Sequence, residues 1–157
     1  MPADAGRESA PQEVALLECN LDDMTGEALA YALERLLEAG ALDAWFTPII
    51  MKKGRPAVTL SVLCRTQDAP MLRCLILRET STLGVRWRLM QREVAERSTD
   101  RVDTPWGPVR RKLKHVGGQV VSVKPEYEDC ARLAREFDVP LQDVIDHARA
   151  VPIDAAT

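Results

Sequence analysis

Four short segments of this sequence concentrate the side chains that handle charged ligands. In Glu18-Cys19-Asn20-Leu21-Asp22-Asp23, carboxylates crowd together. Close carboxylates repel one another unless a cation compensates them. Mg2+ and Mn2+ take hard oxygen ligands, commonly one or two protein carboxylates beside substrate phosphates. Glu18, Asp22 and Asp23 are therefore candidate metal ligands, with helix-entry charge as the competing explanation. In Lys52-Lys53-Gly54-Arg55-Pro56, two ammonium groups and a guanidinium share one loop. Gly54 permits a turn and close approach to a ligand; Arg55 offers planar paired donors to phosphate, and Lys52 and Lys53 offer point charge. A solvated hairpin tip is the plainer reading of the same residues.

The third segment, Glu79 to Arg86 (ETSTLGVR), places three hydroxyls, Thr80, Ser81 and Thr82, ahead of Gly84 and Arg86. It can donate several hydrogen bonds to phosphate or sugar, or simply end a helix in a polar turn. Arg86 and Arg88 would share one side of a strand and need an anion, carboxylates or water; Glu18 or the acidic pair can supply that partner. The fourth segment is Lys124 to Cys130 (KPEYEDC). Pro125 and the acids Glu126, Glu128 and Asp129 suit a helix start. That leaves Lys124 for an anion, and leaves Tyr127 either to stack on a base or to join the core. Cys130 is expected to be buried.

The elements that must hold these segments follow from periodicity. Glu13 to Leu21 reads as a buried strand. Thr25 is a candidate N-cap, and Leu29, Leu33, Leu36 and Leu37 recur at helical spacing until Gly40. Ala41 to Met51 reads as a strand whose Pro48 suggests an edge or bulge. Ala57 to Cys64 is a third strand, Asp68 a cap for a helix with Leu72, Leu75 and Ile76 inward, and Leu83 to Val94 a fourth strand. The order β-α-β-β-α-β is the ferredoxin-like pattern.

Downstream, Glu96 to Val116 reads as a hairpin turning at Trp106-Gly107-Pro108, and Gln119 to Lys124 as a short strand. Glu126 to Phe137 and Pro140 to Ala150 read as helices, the latter with Leu141, Val144 and Ile145 inward. The basic run Arg110-Arg111-Lys112, with Lys114, reads as solvated protection of a sheet edge. The fold class expected is α+β: a ferredoxin-like subdomain over 13–95, then a β-hairpin, a strand and C-terminal helices over 96–150. Residues 1–12 and 151–157 are expected to be tails.

Composition bounds the rest. The chain has 157 residues, 46% hydrophobic and 29% charged, which is an ordinary globular balance and not that of a disordered chain. A net charge of -3 argues against non-specific nucleic-acid binding. No apolar run approaches the roughly 20 residues that span a bilayer, and Met1 to Gln12 lacks the apolar core of a signal peptide. A cytoplasmic protein is expected. The cysteines, at 19, 64, 74 and 130, form no C-x-x-C pair, and His115 and His147 are far apart, so a His/Cys metal cage is not expected.

The four segments together resemble the C-terminal domain of LarC-type nickel-insertion proteins. The matching stretches are Glu18 to Met24 (ECNLDDM), Thr47 to Pro56 (TPIIMKKGRP), Glu79 to Arg86 and Lys124 to Cys130. The resemblance implies a CTP-dependent nickel chelatase, or cyclometallase, of the lyase class. Such a protein inserts Ni2+ into pyridinium-3,5-bisthiocarboxylic acid mononucleotide to make the nickel-pincer cofactor of lactate racemase. It implies CTP bound with Mn2+ or Mg2+, a homo-oligomer such as a hexamer, and a larger N-terminal domain with a histidine-rich stretch, which this sequence does not contain and full activity is expected to need. Under that reading Lys52, Lys53, Arg55, Thr80, Ser81, Thr82, Arg86, Lys124 and Tyr127 are expected to bind nucleotide. Asp22, Asp23, Glu18 and Glu126 are expected at the metal. The alternative is a non-catalytic nucleotide-sensing or oligomerisation domain serving a separate catalytic subunit.

Overall fold

The computed structural model describes residues 11–153, which form two compact units, one over Pro11–Arg92 and one beginning at Glu93. Of the tail expected over 1–12, residues 1–10 lie outside the described residues, as do 154–157 at the other end.

The first unit runs β1 (Gln12–Leu21), α1 (Gly26–Glu38), β2 (Asp43–Met51), β3 (Arg55–Arg65), α2 (Ala69–Glu79) and β4 (Arg86–Arg92). Its strands lie in the order β2-β3-β1-β4 with every neighbouring pair antiparallel, the ferredoxin-like arrangement. Period-two alternation sends Ala15, Leu17, Cys19 and Leu21 of β1, and Leu60, Val62 and Cys64 of β3, to one face. There they meet Leu36 of α1 and Leu72 and Ile76 of α2 in a single core. The opposite face therefore carries Glu18 and Asn20 of β1 and Thr59 and Ser61 of β3, paired across the ladder.

Local signals set the boundaries. The Thr25 hydroxyl accepts from the Ala28 N–H at 3.3 Å and caps α1. Gly40, at φ +97°, ends it in the left-handed conformation that glycine tolerates. Pro48 sits on β2, which is an edge strand of this sheet, as its missing donor requires. Three expectations change. Leu36 is buried as its spacing predicts, but Leu37 is exposed, and the second fully buried residue of α1 is Ala32. Asp68 makes no cap bond; it belongs to a 3-10 turn, Thr66–Asp68, and pairs with Arg65 at 3.6 Å. The fourth strand starts at Arg86 rather than Leu83, because the Thr80 and Thr82 hydroxyls bond the local backbone and compete with the ladder.

The second unit runs β5 (Glu96–Thr104), β6 (Gly107–Val116), β7 (Gln119–Pro125), α3 (Tyr127–Phe137) and α4 (Leu141–Ala150). Its sheet is antiparallel in the order β5-β6-β7. Gly107, at φ +132°, starts β6 rather than forming the turn centre. A Cβ there would stand 3.0 Å from Leu133 Cδ2, so strand and helix pack through its bare backbone. Val102 and Val109 meet Cys130, Leu133, Val144 and Ala148 in the core of this unit.

The basic run does not protect an edge. β6 is the central strand, and three of the four cations of the run have acidic partners. Arg111 is fully buried, with both guanidinium edges bonded: to the Asp100 carboxylate, and to the carbonyls of Ala148 at 3.0 Å and Val151 at 2.6 Å. Arg110 pairs with Asp129, and Lys112 with Glu126. The segment expected to fray after α4 thus begins with carbonyls that anchor a buried cation. Among the described residues no helix is long and apolar enough to cross a membrane.

Candidate functional site

On the sheet face opposite the helices of the first unit, where Val14 and Leu16 are buried and Glu18 and Asn20 follow them along β1, register decides which side chains meet. Glu18 stands between Ser61 of β3 and Arg86 of β4, its Cα partners on either side. The Ser61 hydroxyl donates to Glu18 Oε1 at 3.4 Å, and Arg86 Nε lies 3.6 Å from Glu18 Oε2. One step along, Asn20 Oδ1 accepts from Thr59 Oγ1 at 3.0 Å and from Arg86 Nη2 at 2.9 Å. Beyond the strand end, Asp22 Oδ2 accepts from Arg55 Nη1 at 3.2 Å. Asp23 accepts a short hydrogen bond from Ser81.

Three of the four sequence segments, ECNLDDM, KKGRP and ETSTLGVR, therefore converge at one end of one sheet. Within this cluster the hydroxyls differ. Thr80 donates to the Ile76 carbonyl at 2.7 Å, and Thr82 to the Gly84 carbonyl at 2.9 Å, so both are committed to shaping their own loop. Ser81 is exposed and faces Asp23. Beneath the turn lies Cys19. Burial pushes its thiol above the usual range, while hydrogen bonding with Thr82, the charge of Arg86 and hydrogen bonding with Thr80 pull the other way. A buried, protonated thiol is a packing group here.

Lys52 and Lys53 occupy a 3-10 turn, Lys52–Gly54, exposed and without an ion pair to any described residue. Lys53 itself is left-handed, at φ 62° and ψ 22°, followed by Gly54 at φ 69°. A non-glycine residue in that region costs about 1 kcal/mol or more. Asp22 and Glu18 are offset by Arg55 and Arg86, which leaves the two lysines and Asp23, bonded only to neutral Ser81, as the charges without an ion pair at this end.

The carboxylates do not form an all-protein cage. Among the described residues no three His, Cys, Asp or Glu side chains converge as metal ligands. The donor set fits a hard cation that takes one or two carboxylates and completes its shell with phosphate and water. The arginine contacts are half exposed, and such pairs contribute about 0–1 kcal/mol each.

The fourth segment lies on the second unit. Lys124 on β7 is exposed and directly opposite Lys112 of β6, whose Nζ lies 2.7 Å from Glu126 Oε1. Glu126 is thus partnered by a lysine. Tyr127, the first residue of α3, is exposed rather than part of the core. Asp129 accepts from the Arg110 N–H at 3.0 Å and from its Nε at 2.9 Å, which holds its carboxyl down to about 2. Cys130 is buried, and burial raises its thiol. A cavity of about 610 Å3 on this unit is lined by β7 from Val120 to Lys124 with Arg149 and Ile153.

Asn20, Thr59 and Ser61 were not nominated from the sequence. The available signal was the alternation of Thr59 and Ser61 with Val58, Leu60 and Val62, which marks one face of a central strand as polar.

Comparison with known proteins agrees with this architecture. A family model described as nickel insertion protein matches residues 3–145. A relative from Maridesulfovibrio salexigens, named for nickel insertion, is 47% identical, covering 82% of this chain and 31% of its own length. The pyridinium-3,5-bisthiocarboxylic acid mononucleotide nickel insertion protein of Lactiplantibacillus plantarum is 46% identical, covering 90% and 33%. The chain thus spans about a third of the length of these relatives. Among solved structures, apo LarC2 is described as the C-terminal domain of a cyclometallase involved in synthesis of the NPN cofactor of lactate racemase. It superposes with a TM-score of 0.83 at 45% identity, covering 88% of this chain and 96% of that one. A protein of Methanopyrus kandleri superposes with a TM-score of 0.69 at 25% identity, covering 90% and 89%.

Proposed function

This chain belongs to the nickel insertion protein family, and on that premise we propose that it is the nucleotide-using part of a nickel insertase. The reaction of the whole protein is delivery of Ni2+, as substrate, into pyridinium-3,5-bisthiocarboxylic acid mononucleotide, yielding the nickel-pincer cofactor of lactate racemase. A further domain, of the size by which the relatives exceed this chain, completes that activity.

The observation that supports the nucleotide role is the convergence of three segments on the first unit, cations and carboxylates together. Lys52, Lys53, Arg55 and Arg86 neutralise the triphosphate of CTP, and Ser81 adds a hydroxyl. Thr80 and Thr82 hold the loop that carries Ser81. Asp22 and Asp23, with Glu18 beside them, would hold Mn2+ or Mg2+, which would supply positive charge against the phosphates. On the second unit, taken by itself, Lys124 offers an exposed cation and Tyr127 an exposed ring, and Glu126 pairs with Lys112 at 2.7 Å. Titration calorimetry with each nucleoside triphosphate, with and without Mn2+, tests the reading. Metal-dependent binding with CTP preferred is expected; no heat with any nucleotide would sink it.

A second reading, an assembly module, is favoured by one feature. Large apolar side chains are exposed on the first unit, including Ile50, Leu83, Trp87 and Leu89. Such a surface suits contacts with further copies of the chain. Light scattering that gives a monomer at all concentrations would dismiss a homo-oligomer, hexameric or otherwise.

A further inference from the structure

We propose that Arg55 and Arg86 serve as internal counter-cations of the carboxylate cluster, and that polyphosphate must draw them away before a divalent cation can bind. Cation and nucleotide then enter together and not separately. The inference rests on the nucleotide reading given above and concerns how that site is controlled.

Each carboxylate of the cluster already has a partner. Asp22 accepts from Arg55 at 3.2 Å, Glu18 lies 3.6 Å from Arg86, and Asp23 accepts from Ser81. The Arg55 guanidinium occupies a lone pair of Asp22, Arg86 is an ion-pair neighbour of Glu18 without a hydrogen bond to it, and each places a positive charge close to where a second cation would sit. Coulomb repulsion then opposes a metal ion arriving alone.

The two sides of each pair differ in freedom. The Arg55 side chain is 55% exposed against 19% for Asp22, and Arg86 is 54% exposed against 22% for Glu18. Glu18 is also fixed by the Ser61 hydroxyl, on a central strand. The carboxylates are the stationary members, and the arginines, on long stems facing solvent, are the ones able to swing. The better contact of Arg86 is with neutral Asn20, at 2.9 Å, and Asn20 keeps its bond from Thr59 when Arg86 leaves. Phosphate offers each guanidinium a paired, charge-assisted acceptor in exchange. What the arginines give up is a half-solvated ion pair, which is a weak competitor. Departure of both arginines exposes the oxygens of Asp22 and Glu18 beside the newly seated phosphates.

Manganese titration followed by the paramagnetic resonance of free Mn2+ tests this without any turnover. With Mn2+ alone, Arg55→Gln/Arg86→Gln should bind the ion roughly tenfold more tightly than the parent, within the range of ordinary site coupling. Adding Asp22→Asn to that variant should remove the gain. CTP should raise the Mn2+ affinity of the parent and change that of the variant much less. If the parent binds CTP with Mn2+ but the variant is no tighter for Mn2+ alone, the exchange is wrong and the nucleotide reading stands. If the parent binds no CTP, both fail. Should the double variant lose its cooperative melt, Arg55→Gln alone carries the same comparison. A rise in Mn2+ affinity supports the exchange, and no rise overturns it.

Discussion

The two units use the same pair of side chains, arginine and carboxylate, to opposite ends. In the second unit Arg111 has no exposed surface and bonds to Asp100 and to the carbonyls that close α4. Arg110 grips Asp129 with its backbone N–H and two guanidinium nitrogens. In the first unit, Arg55 meets Asp22 through one nitrogen and Arg86 meets Glu18 at 3.6 Å, with both arginine side chains more than half exposed. What separates a fastener from a ligand-ready contact is saturation of the pair, since the residue types are identical: Arg111 adds burial to it, while Arg110, 66% exposed, is distinguished by its three bonds to Asp129 alone. A saturated buried pair has nothing left to offer a ligand, and breaking it strands a charge. A loose half-solvated pair is worth little to stability and is available for exchange.

The sharpest way to break this contrast is Arg111→Ala. It leaves Asp100 and the Ala148 and Val151 carbonyls without their donor, and should cost about 3–5 kcal/mol in urea unfolding. A loss under about 1 kcal/mol would mean that the buried pair is no fastener. The matching change in the first unit, Arg55→Ala, should leave the urea midpoint within about 0.5 kcal/mol of the parent while weakening CTP binding by calorimetry at least about tenfold, or 1.4 kcal/mol. Equal affinity in variant and parent would remove Arg55 from the site. Asp22→Asn should flatten the Mn2+ dependence of CTP binding; an unchanged dependence rejects that carboxylate as a cation ligand.

How far the sequence led differs between the two units for the same reason. Leucine spacing and turn residues carried the β-α-β-β-α-β order, because each signal is local. The pairing of Arg86 with Glu18 and Asn20 was less accessible. It needs β4 beside β1 in a register that sets Arg86 opposite Glu18, and period two alone says nothing about which strands neighbour each other. Thr59 and Ser61 were overlooked because a polar face on a central strand looks, in one dimension, like ordinary alternation. The run Arg110-Arg111-Lys112 misled for a related reason. Three adjacent cations look solvated, yet the pleat sends Arg111 inward, and its acceptors come from residues 100, 148 and 151, distant in sequence.

Acid sharpens the contrast on the fastening side. Arg110 holds the Asp129 carboxyl at about 2, below its ordinary 3.8, chiefly through the side-chain hydrogen bond. A carboxyl lowered on folding stabilises above its unfolded value and loses that contribution as pH falls through the folded one. Hydrogen bonding from Arg111 lowers Asp100 in the same direction. The stability difference between parent and Asp129→Asn should therefore be full at neutral pH and shrink between about pH 4 and 2. A difference independent of pH in urea unfolding would show that the pair is not what protects the native state.

The smallest expected effect separates stability from function most cleanly, because the two should move in opposite directions. Lys53 adopts a left-handed backbone that glycine accepts freely, and its ammonium has no ion pair among the described residues. A lysine retained only as surface decoration gains nothing from that conformation. Lys53→Gly relieves the backbone penalty and adds unfolded-state entropy, terms of about 1 kcal/mol each that oppose one another. Stability should then hold or rise by up to about 1 kcal/mol, while CTP affinity falls several-fold through loss of one phosphate-facing charge. If Lys53→Gly binds CTP as the parent does, the left-handed lysine is a feature of the turn alone. The phosphate-binding reading would then contract to Lys52, Arg55 and Arg86.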